Sequence, residues 1–127
     1  MAVIKAFECI RPDEKVADRV AALPYDVYNR EEALNEVERE PLSFLAIDRA
    51  ETQFDSSVDT YADCVYDKAR ELLDSRIADG TFITDTDKAY YVYELTMNGR
   101  TQTGIAACAS IDDYNNNIIK KHENTRA

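Results

Sequence analysis

The pair Asn98-Gly99 constrains the fold of this chain more than any other feature of its sequence. Asn-Gly is favoured in the two-residue type I′ turn, where both central residues have positive φ, and β-forming residues flank it on both sides. The pattern predicts an antiparallel hairpin of strands 88–97 and 100–109. Apolar residues on both faces predict a central place in the sheet. The turn sets the expected register, which pairs Met97 with Arg100, Thr96 with Thr101, Tyr93 with Gly104 and Val92 with Ile105.

The longest helical pattern covers residues 58–79. Apolar side chains recur there at intervals of three and four residues, so a helix would carry them on one broad stripe. They are Tyr61, Ala62, Val65, Tyr66, Ala69, Leu72, Leu73 and Ile77. Ser57 or Asp59 can start this helix, and Gly80 suits the position just past its end. We expect the helix to pack on one face of the sheet, with its tyrosines in the packing.

Three shorter patterns predict further elements. Residues 2–8 alternate weakly between apolar and polar side chains, which predicts a first strand. Pro12 opens a short helix, because proline is tolerated at a helix start, and Pro24 ends it. Residues 42–47 form a short apolar run that predicts a buried strand.

Asn29 is expected to cap another helix. Its side chain can accept a hydrogen bond from the Glu32 amide, while the Glu32 carboxylate reaches back to the Asn29 amide. This helix should end near Arg39, because the residue before Pro41 disfavours helical geometry. Together the patterns predict an α+β fold with a largely antiparallel sheet centred on the hairpin, in a single domain of residues 1–127.

The chain of 127 residues is strongly acidic. Its 15 Lys and Arg residues and 25 Asp and Glu residues give a formal net charge of −10. This charge argues against a nucleic acid or an anionic membrane surface as a partner. The apolar stretches fall far short of the roughly 20 residues of a transmembrane helix, and the first residues do not form a signal peptide. We therefore predict a cytoplasmic protein.

The cysteines Cys9, Cys64 and Cys108 are far apart in the sequence, which has a single histidine. This spacing excludes a zinc finger, and no metal site is predicted. Each cysteine has apolar neighbours, so we expect all three to be reduced and packed in the core. The sequence lacks a Gly-rich phosphate loop, a dinucleotide-binding motif and a hydrolase nucleophile motif, so it indicates no particular cofactor.

The densest group of catalytic residue types lies in the last eight residues, where three basic residues and one acid reverse the acidic charge. Phosphoryl transfer depends on charge neutralisation and on a positioned acid or base. Lys120, Lys121 and Arg126 are therefore candidates for phosphate binding. His122 and Glu123 are candidates for proton transfer. The alternative interpretation is a solvated terminal segment.

Three residues elsewhere are further candidates. Tyr25 and Asp26 lie in an expected loop between two helices, where functional groups are often placed. Arg100, next to the hairpin turn, could reach an anion. The alternatives are that Asp26 forms a turn and that Arg100 is an ordinary surface residue.

Several segments of the chain, taken in order, resemble one bacterial and archaeal family. They are Phe7-Glu8-Cys9-Ile10-Arg11-Pro12, Pro24-Tyr25-Asp26-Val27, Ser43-Phe44-Leu45, Arg100-Thr101-Gln102-Thr103-Gly104 and Lys120-Lys121-His122-Glu123-Asn124-Thr125-Arg126. The family is catalogued as domain of unknown function 1015. Its members are longer than this chain, which resembles their N-terminal portion. The remainder of a full-length protein is therefore an expected partner.

The resemblance implies a function only in outline. The later part of family members carries an Asp-Gly-His-His-Arg segment similar to one in ParB-type nucleotide-hydrolysing domains and in the related free serine kinase. This chain lacks that segment. The resemblance implies an enzyme that handles a small phosphorylated metabolite, such as phosphoserine, or serine with a nucleotide. The alternative is a non-catalytic structural or protein-interaction module that docks on the rest of its protein or on a second copy as a homo-oligomer.

Overall fold

A computed structural model describes residues 1–120 of the 127. The chain divides into two compact units. The first, which we call the hairpin unit, consists of Met1–Cys9 together with Asp85–Ala127. The second, which we call the inserted unit, is the continuous segment Ile10–Thr84. Helices and antiparallel strands are both present, so the predicted α+β class is confirmed.

The described residues form six strands, five α-helices and two 3₁₀ segments. In chain order they are β1 (Ile4–Lys5), β2 (Ile10–Pro12), α1 (Ala17–Val20), the 3₁₀ segment Tyr25–Val27, α2 (Arg30–Arg39), α3 (Leu45–Asp48), the 3₁₀ segment Ala50–Gln53, α4 (Asp63–Ala78), β3 (Phe82–Thr84), β4 (Tyr91–Met97), β5 (Arg100–Ala106), β6 (Cys108–Ala109) and α5 (Ile111–Asn115).

The strands pair in three antiparallel two-stranded sheets, whereas we predicted a single sheet. In the hairpin unit β1 pairs with β6, and β4 pairs with β5. In the inserted unit β2 pairs with β3. Within residues 1–120, β4 and β5 pair only with each other. In the part of the chain that the structure describes, the hairpin therefore does not have the central place in a larger sheet that its apolar faces predicted.

The register of the hairpin is confirmed. Asn98 and Gly99 have φ values of 52° and 74°, the left-handed conformation that a type I′ turn requires. All four predicted cross-strand pairs occur, from Met97–Arg100 at the turn to Val92–Ile105 near the base. The turn chemistry alone was therefore sufficient to fix seven residues of each strand.

The base of the hairpin unit is held by the Tyr91 hydroxyl group. It accepts a hydrogen bond from the Cys9 amide at 3.0 Å and donates one to Asp85 Oδ2 at 2.8 Å. The Tyr91 ring also packs against the Phe7 ring, with 5.1 Å between centroids. One side chain of β4 thus fastens the N-terminal segment to the segment that precedes the hairpin.

Pro12 lies in a strand and does not start a helix as we predicted. It is the last residue of β2, opposite β3. The helix α1 begins later, at Ala17, and has only four residues. The intervening turn is set by Asp13, whose amide donates to the Thr81 carbonyl at 2.9 Å and whose Oδ1 accepts from the Lys15 amide at 2.9 Å.

The capping box of α2 is confirmed. Asn29 Oδ1 accepts from the Glu32 amide at 2.9 Å, and Glu32 Oε2 accepts from the Asn29 amide at 2.8 Å. The helix ends at Arg39, as predicted. Two of its residues, Ala33 and Val37, are buried, so this helix contributes one face to the core.

Residues 42–47 do not form the buried strand that we predicted. The chain turns at Ser43, whose Oγ accepts from the Leu45 amide at 3.3 Å, and then enters α3. A short apolar run has no periodicity that separates a strand from a buried helical turn, and here the helical turn is formed. The core cluster of the inserted unit consists of Ala33, Val37, Leu45 and Ala46, with Tyr28 packed against it.

The long predicted helix is confirmed as α4, although it begins at Asp63 and not near residue 58. Its N-cap residue is Ala62, which offers no capping side chain. Gly80 follows its end with a φ of 83°, as predicted for a C-terminal glycine. The helix packs against α3, the 3₁₀ segment Ala50–Gln53 and β3.

The tyrosines of the predicted stripe on α4 are not packed in a core. Tyr61 is 80% exposed and Tyr66 is 57% exposed. The side chain that is buried near the end of α4 is instead a charged one, Arg76. Its guanidinium donates to the carbonyl oxygens of Ser43 at 3.2 Å and Pro41 at 2.7 Å. Burial lowers the pKa of Arg76 from its ordinary value.

The prediction that all three cysteines are core residues is wrong for two of them. Cys64 and Cys108 are exposed, and Cys9 is partly buried. Within the described residues no cysteine forms a disulfide bond. Apolar neighbours in the sequence are a weak guide here, because α4 and the short strand β6 both leave one side uncovered in residues 1–120.

Candidate functional site

The loop around Tyr25, a candidate from the sequence, is fastened by a single arginine. Residues Tyr25–Val27 form a 3₁₀ turn. Arg49 Nη1 donates to the carbonyl oxygen of Tyr25 at 3.1 Å and to that of Tyr28 at 2.8 Å. The backbone conformation of this loop therefore depends on a side chain that follows α3.

The same arginine forms a buried ion pair. Arg49 Nε lies 2.5 Å from Glu51 Oε1, and the two side chains are 16% and 2% exposed. The carboxylate neutralises the guanidinium, so Arg49 can hold the carbonyl oxygens of the loop without leaving an uncompensated charge in the interior. Arg49 is thus a structural group and not a free cation for a ligand.

A cavity of about 310 Å³ adjoins this ion pair in the inserted unit. It opens to the surface between the first turn of α2 and the segment that follows α3. Its lining is mostly apolar, with a few charged groups. The lining residues are Arg30, Glu31, Leu34, Glu51, Thr52, Phe54 and Ser56.

Arg30 is the basic residue of this lining. Its Nη1 donates to the Val58 carbonyl at 3.1 Å and its Nη2 to the Asp55 carbonyl at 3.2 Å. Within residues 1–120, Arg30 has no carboxylate at ion-pair distance, in contrast to Arg49. A guanidinium has five N–H donors, so three of them have no partner in these two hydrogen bonds.

The charge of Arg30 nevertheless affects the pKa of Asp55. The pKa of Asp55 is lowered chiefly by hydrogen bonds from Ser57, whose amide donates to Oδ1 at 2.9 Å, and in part by the charge of Arg30. Asp55 is bound to its own turn through these bonds, and it holds Arg30 by its carbonyl oxygen. The guanidinium is therefore positioned by two backbone carbonyl oxygens of residues 55–58, outside α2.

The arrangement suits an organic molecule with an anionic group. Leu34 and Phe54 supply an apolar wall, and Arg30 supplies planar N–H donors of the kind that bind phosphate or carboxylate in pairs. The first turn of α2 also carries the carboxylates of Glu31 and Glu32, which offset the partial positive charge of the helix start, so Arg30 is the group in this lining that can attract an anion. The acid Glu51 in the lining is already neutralised by Arg49.

Comparison with known proteins gives a family and no activity. Residues 4–127 match the family described as Protein of unknown function (DUF1015). The chain belongs to the DUF1015 family. The resemblance seen in the sequence is thereby confirmed over essentially the whole chain. No curated protein and no solved structure matches it.

The structure describes four of the eight site residues that we predicted for this DUF1015 chain, namely Tyr25, Asp26, Arg100 and Lys120. Tyr25 and Asp26 are exposed neighbours in the inserted unit. Arg100 is exposed at the start of β5, and Lys120 is exposed after α5, both in the hairpin unit. Lys121, His122, Glu123 and Arg126 lie outside the described residues, so their phosphate-binding and catalytic roles stay predictions.

Sequence reasoning missed all three charged residues that line the cavity of this DUF1015 chain, Arg30, Glu31 and Glu51. None of them had a predicted place in a site. One signal was present, because an arginine and a glutamate two residues apart follow a buried run. The burial of Glu51 depends on the helical course of residues 45–48, which we predicted as a strand.

The described residues can also be compared with the requirements of a metal site and of a membrane-spanning helix. Among residues 1–120 no group of three or more His, Cys, Asp and Glu side chains could hold a metal ion. No helix in this part of the DUF1015 chain is both long enough and apolar enough to span a membrane.

Proposed function

We propose that this chain is part of an enzyme that binds a small phosphorylated metabolite, such as phosphoserine, or serine together with a nucleotide. One observation supports the proposal most directly. Arg30 lines a cavity of about 310 Å³ and has no acidic partner among residues 1–120. The volume lies in the range of small-molecule sites, roughly 300–1,000 Å³. A guanidinium without an ion-pair partner in such a cavity favours phosphate.

The basic end of the sequence supplies the second part of the proposal. Lys120, Lys121 and Arg126 neutralise phosphate charge, and His122 or Glu123 moves a proton. The support is the reversal of charge in this segment of an otherwise acidic chain. If wild-type protein forms ADP from ATP in the presence of serine, the His122→Ala and Glu123→Ala variants are expected to be slower. If both variants turn over at the wild-type rate, neither residue has the proton-transfer role.

The experiment for the cavity is an amide NMR titration of the chain with phosphoserine, serine, ADP and ATP. We expect phosphoserine to shift the amide resonances of the cavity, those of Thr52 and Phe54 above all. Serine alone should shift them less, because it lacks the phosphate that Arg30 binds. Unchanged resonances with all four compounds would overturn the proposal for this cavity.

Two arginines of the same helix give a matched comparison. Arg30→Gln removes the cation from the cavity, and Arg39→Gln removes an exposed cation that pairs with Glu36 outside it. We expect the first substitution to weaken phosphoserine binding by about 10-fold or more and the second to leave it unchanged. Equal weakening by both would mean that binding follows the general charge of α2 and not Arg30.

The alternative function is a protein-interaction module, and the hairpin supports it. Val92 and Ile105, which are paired across the strands, are 75% and 74% exposed in residues 1–120. The other face of the hairpin carries the exposed Tyr93, Leu95 and Met97. Exposed apolar residues in a continuous group mark interaction surfaces. A change in sedimentation with protein concentration, without any response to the four compounds, would favour this function.

A further inference from the structure

Among residues 1–120, the outer edge of β5 is an open strand edge without the usual protection. Residues Arg100–Ala106 form an uninterrupted ladder with β4 and have no other strand partner within residues 1–120. Native proteins protect such edges with lysine, proline, bulges or a covering element. After Arg100, β5 has no charged residue and no proline. The edge is therefore competent to pair with another strand.

The register determines which backbone groups face outward. The two-residue turn makes Met97–Arg100 a hydrogen-bonded pair, and bonded and non-bonded pairs alternate along an antiparallel ladder. The amides and carbonyls of Thr101, Thr103 and Ile105 therefore point away from β4. A second strand could bond to these three residues without disturbing the hairpin.

Charge distinguishes this edge from the outer edge of β4. On β4 the outward residues are Val92, Glu94 and Thr96, so two copies paired about the middle of β4 would place two Glu94 carboxylates opposite each other. Like charges directly opposite destabilise strand pairing. The corresponding middle residue of β5 is Thr103, which is uncharged.

We propose that β5 pairs antiparallel with β5 of a second copy of this chain, around a two-fold axis at Thr103. Thr103 then faces Thr103 of the second copy, and Thr101 faces Ile105 of the second copy. Every one of the outward backbone groups finds a partner in this register, and a four-stranded sheet results. This inference is independent of the cavity in the inserted unit, so either can fail without the other.

The net charge of the chain sets a salt dependence for this dimer. Two copies with a charge of −10 repel each other at long range, whereas β4 and β5 together carry one acid and one base. Salt screens the repulsion and leaves the strand pairing in place. We expect a monomer–dimer equilibrium between about 1 µM and 1 mM that shifts toward dimer as salt is added. Sedimentation equilibrium of the full chain measures it.

Disulfide trapping tests whether the two copies pair through the outer edge of β5 or through that of β4. In a chain that also carries Cys64→Ser and Cys108→Ser, Thr103→Cys should form a covalent dimer under mild oxidation, because facing residues have Cα atoms about 5.5 Å apart. The matched variant Thr96→Cys places a thiol on the other edge of the same hairpin and should stay monomeric. Circular dichroism checks that both variants keep the fold.

Two results would overturn the proposal. The first is a chain that remains monomeric over the whole concentration range; slow exchange of the amides of Thr101, Thr103 and Ile105 in that monomer would show that a segment of the same chain covers the edge. The second is a dimer that Thr96→Cys traps at least as well as Thr103→Cys, which would place the interface on β4 or elsewhere.

Discussion

Arg49 and Glu51 form an ion pair with 2.5 Å between Nε and Oε1, and the carboxylate is almost completely buried. The same guanidinium holds the backbone of the loop at Tyr25 and Tyr28. The pair thus links the wall of the cavity to a loop from a distant part of the sequence. Its integrity should decide both the stability of the inserted unit and the shape of the cavity.

Substitution of Arg49 by alanine tests this link. The change leaves the Glu51 carboxylate buried without a counter-charge and frees two carbonyl oxygens, so we expect a loss of about 3–5 kcal/mol in the free energy of unfolding. Urea denaturation measures it. The control is Arg39→Ala, which breaks an exposed ion pair with Glu36 and should cost less than about 1 kcal/mol. Similar costs for the two variants would contradict a structural role for Arg49.

The capping box of α2 predicts a second, smaller effect. Asn29→Ala removes the acceptor for the Glu32 amide and should lower the free energy of unfolding by about 1 kcal/mol. Asn35→Ala is the matched control, because Asn35 is an exposed residue inside the same helix and alanine is the better helix former there. Thermal or urea unfolding should therefore show opposite signs for the two substitutions.

Two glycines of the hairpin should respond differently to alanine. Gly99 has a φ of 74°, where a Cβ atom is strained by about 1–2 kcal/mol, whereas Gly104 lies in β5 with no positive φ and no atom near a new Cβ. Gly99→Ala should destabilise the hairpin, and Gly104→Ala should not. Hydrogen exchange of the β4 and β5 amides measures the difference. Equal effects would mean that the type I′ turn does not control the hairpin.

The pair of Arg19 and Glu40 predicts a dependence on pH. Hydrogen bonds from Arg19, and next from the Leu42 amide, lower the pKa of the Glu40 carboxyl below its ordinary value of 4.5. A carboxyl with a lowered pKa stabilises the fold while it is ionised, so this contribution is present above pH 4.5 and is lost as the pH falls through the folded pKa. Arg19→Gln should reduce the loss of stability on acidification.

Stability curves between about pH 3 and pH 7 for wild type and Arg19→Gln make this comparison. Arg70→Gln is the control, since the contact between Arg70 and Asp74 is longer, at 3.6 Å, and both side chains are largely exposed. The two curves for wild type and Arg19→Gln should converge in acid and separate toward neutral pH. Parallel curves would contradict the role of Arg19.

The sequence predicted correctly those elements that are determined by residues close together in the chain. Asn98-Gly99 fixed the hairpin register because a two-residue turn leaves one pairing, and Asn29 with Glu32 fixed the start of α2 because their hydrogen bonds lie within one turn. The course of residues 42–47 was wrong because a short apolar run is compatible with a strand or a helical turn. Contacts with α2 and α4 decide between them.

The candidate site was less predictable than the fold. Arg30 and Arg49 acquire their roles from segments distant in the sequence, and no spacing rule specifies that Glu51 becomes buried beside Arg49. The same applies to Arg76, which sits on a helix whose apolar stripe predicted only hydrophobic packing. The sequence did identify the loop at Tyr25, but as a source of functional groups and not as a backbone held by Arg49.

The pairing of β2 with β3 has a consequence for the order of folding. It places Ile10 opposite Thr84, so the first and last residues of the inserted unit are neighbours. Once this unit has folded, Phe7 and Ala89 are separated by a short effective loop, and the entropy cost of joining them falls steeply. Folding of the inserted unit should therefore precede the pairing of Phe7 with Ala89, whereas the β4–β5 hairpin can form from its own local contacts. A short linker in place of residues 10–84 would keep the same two ends together.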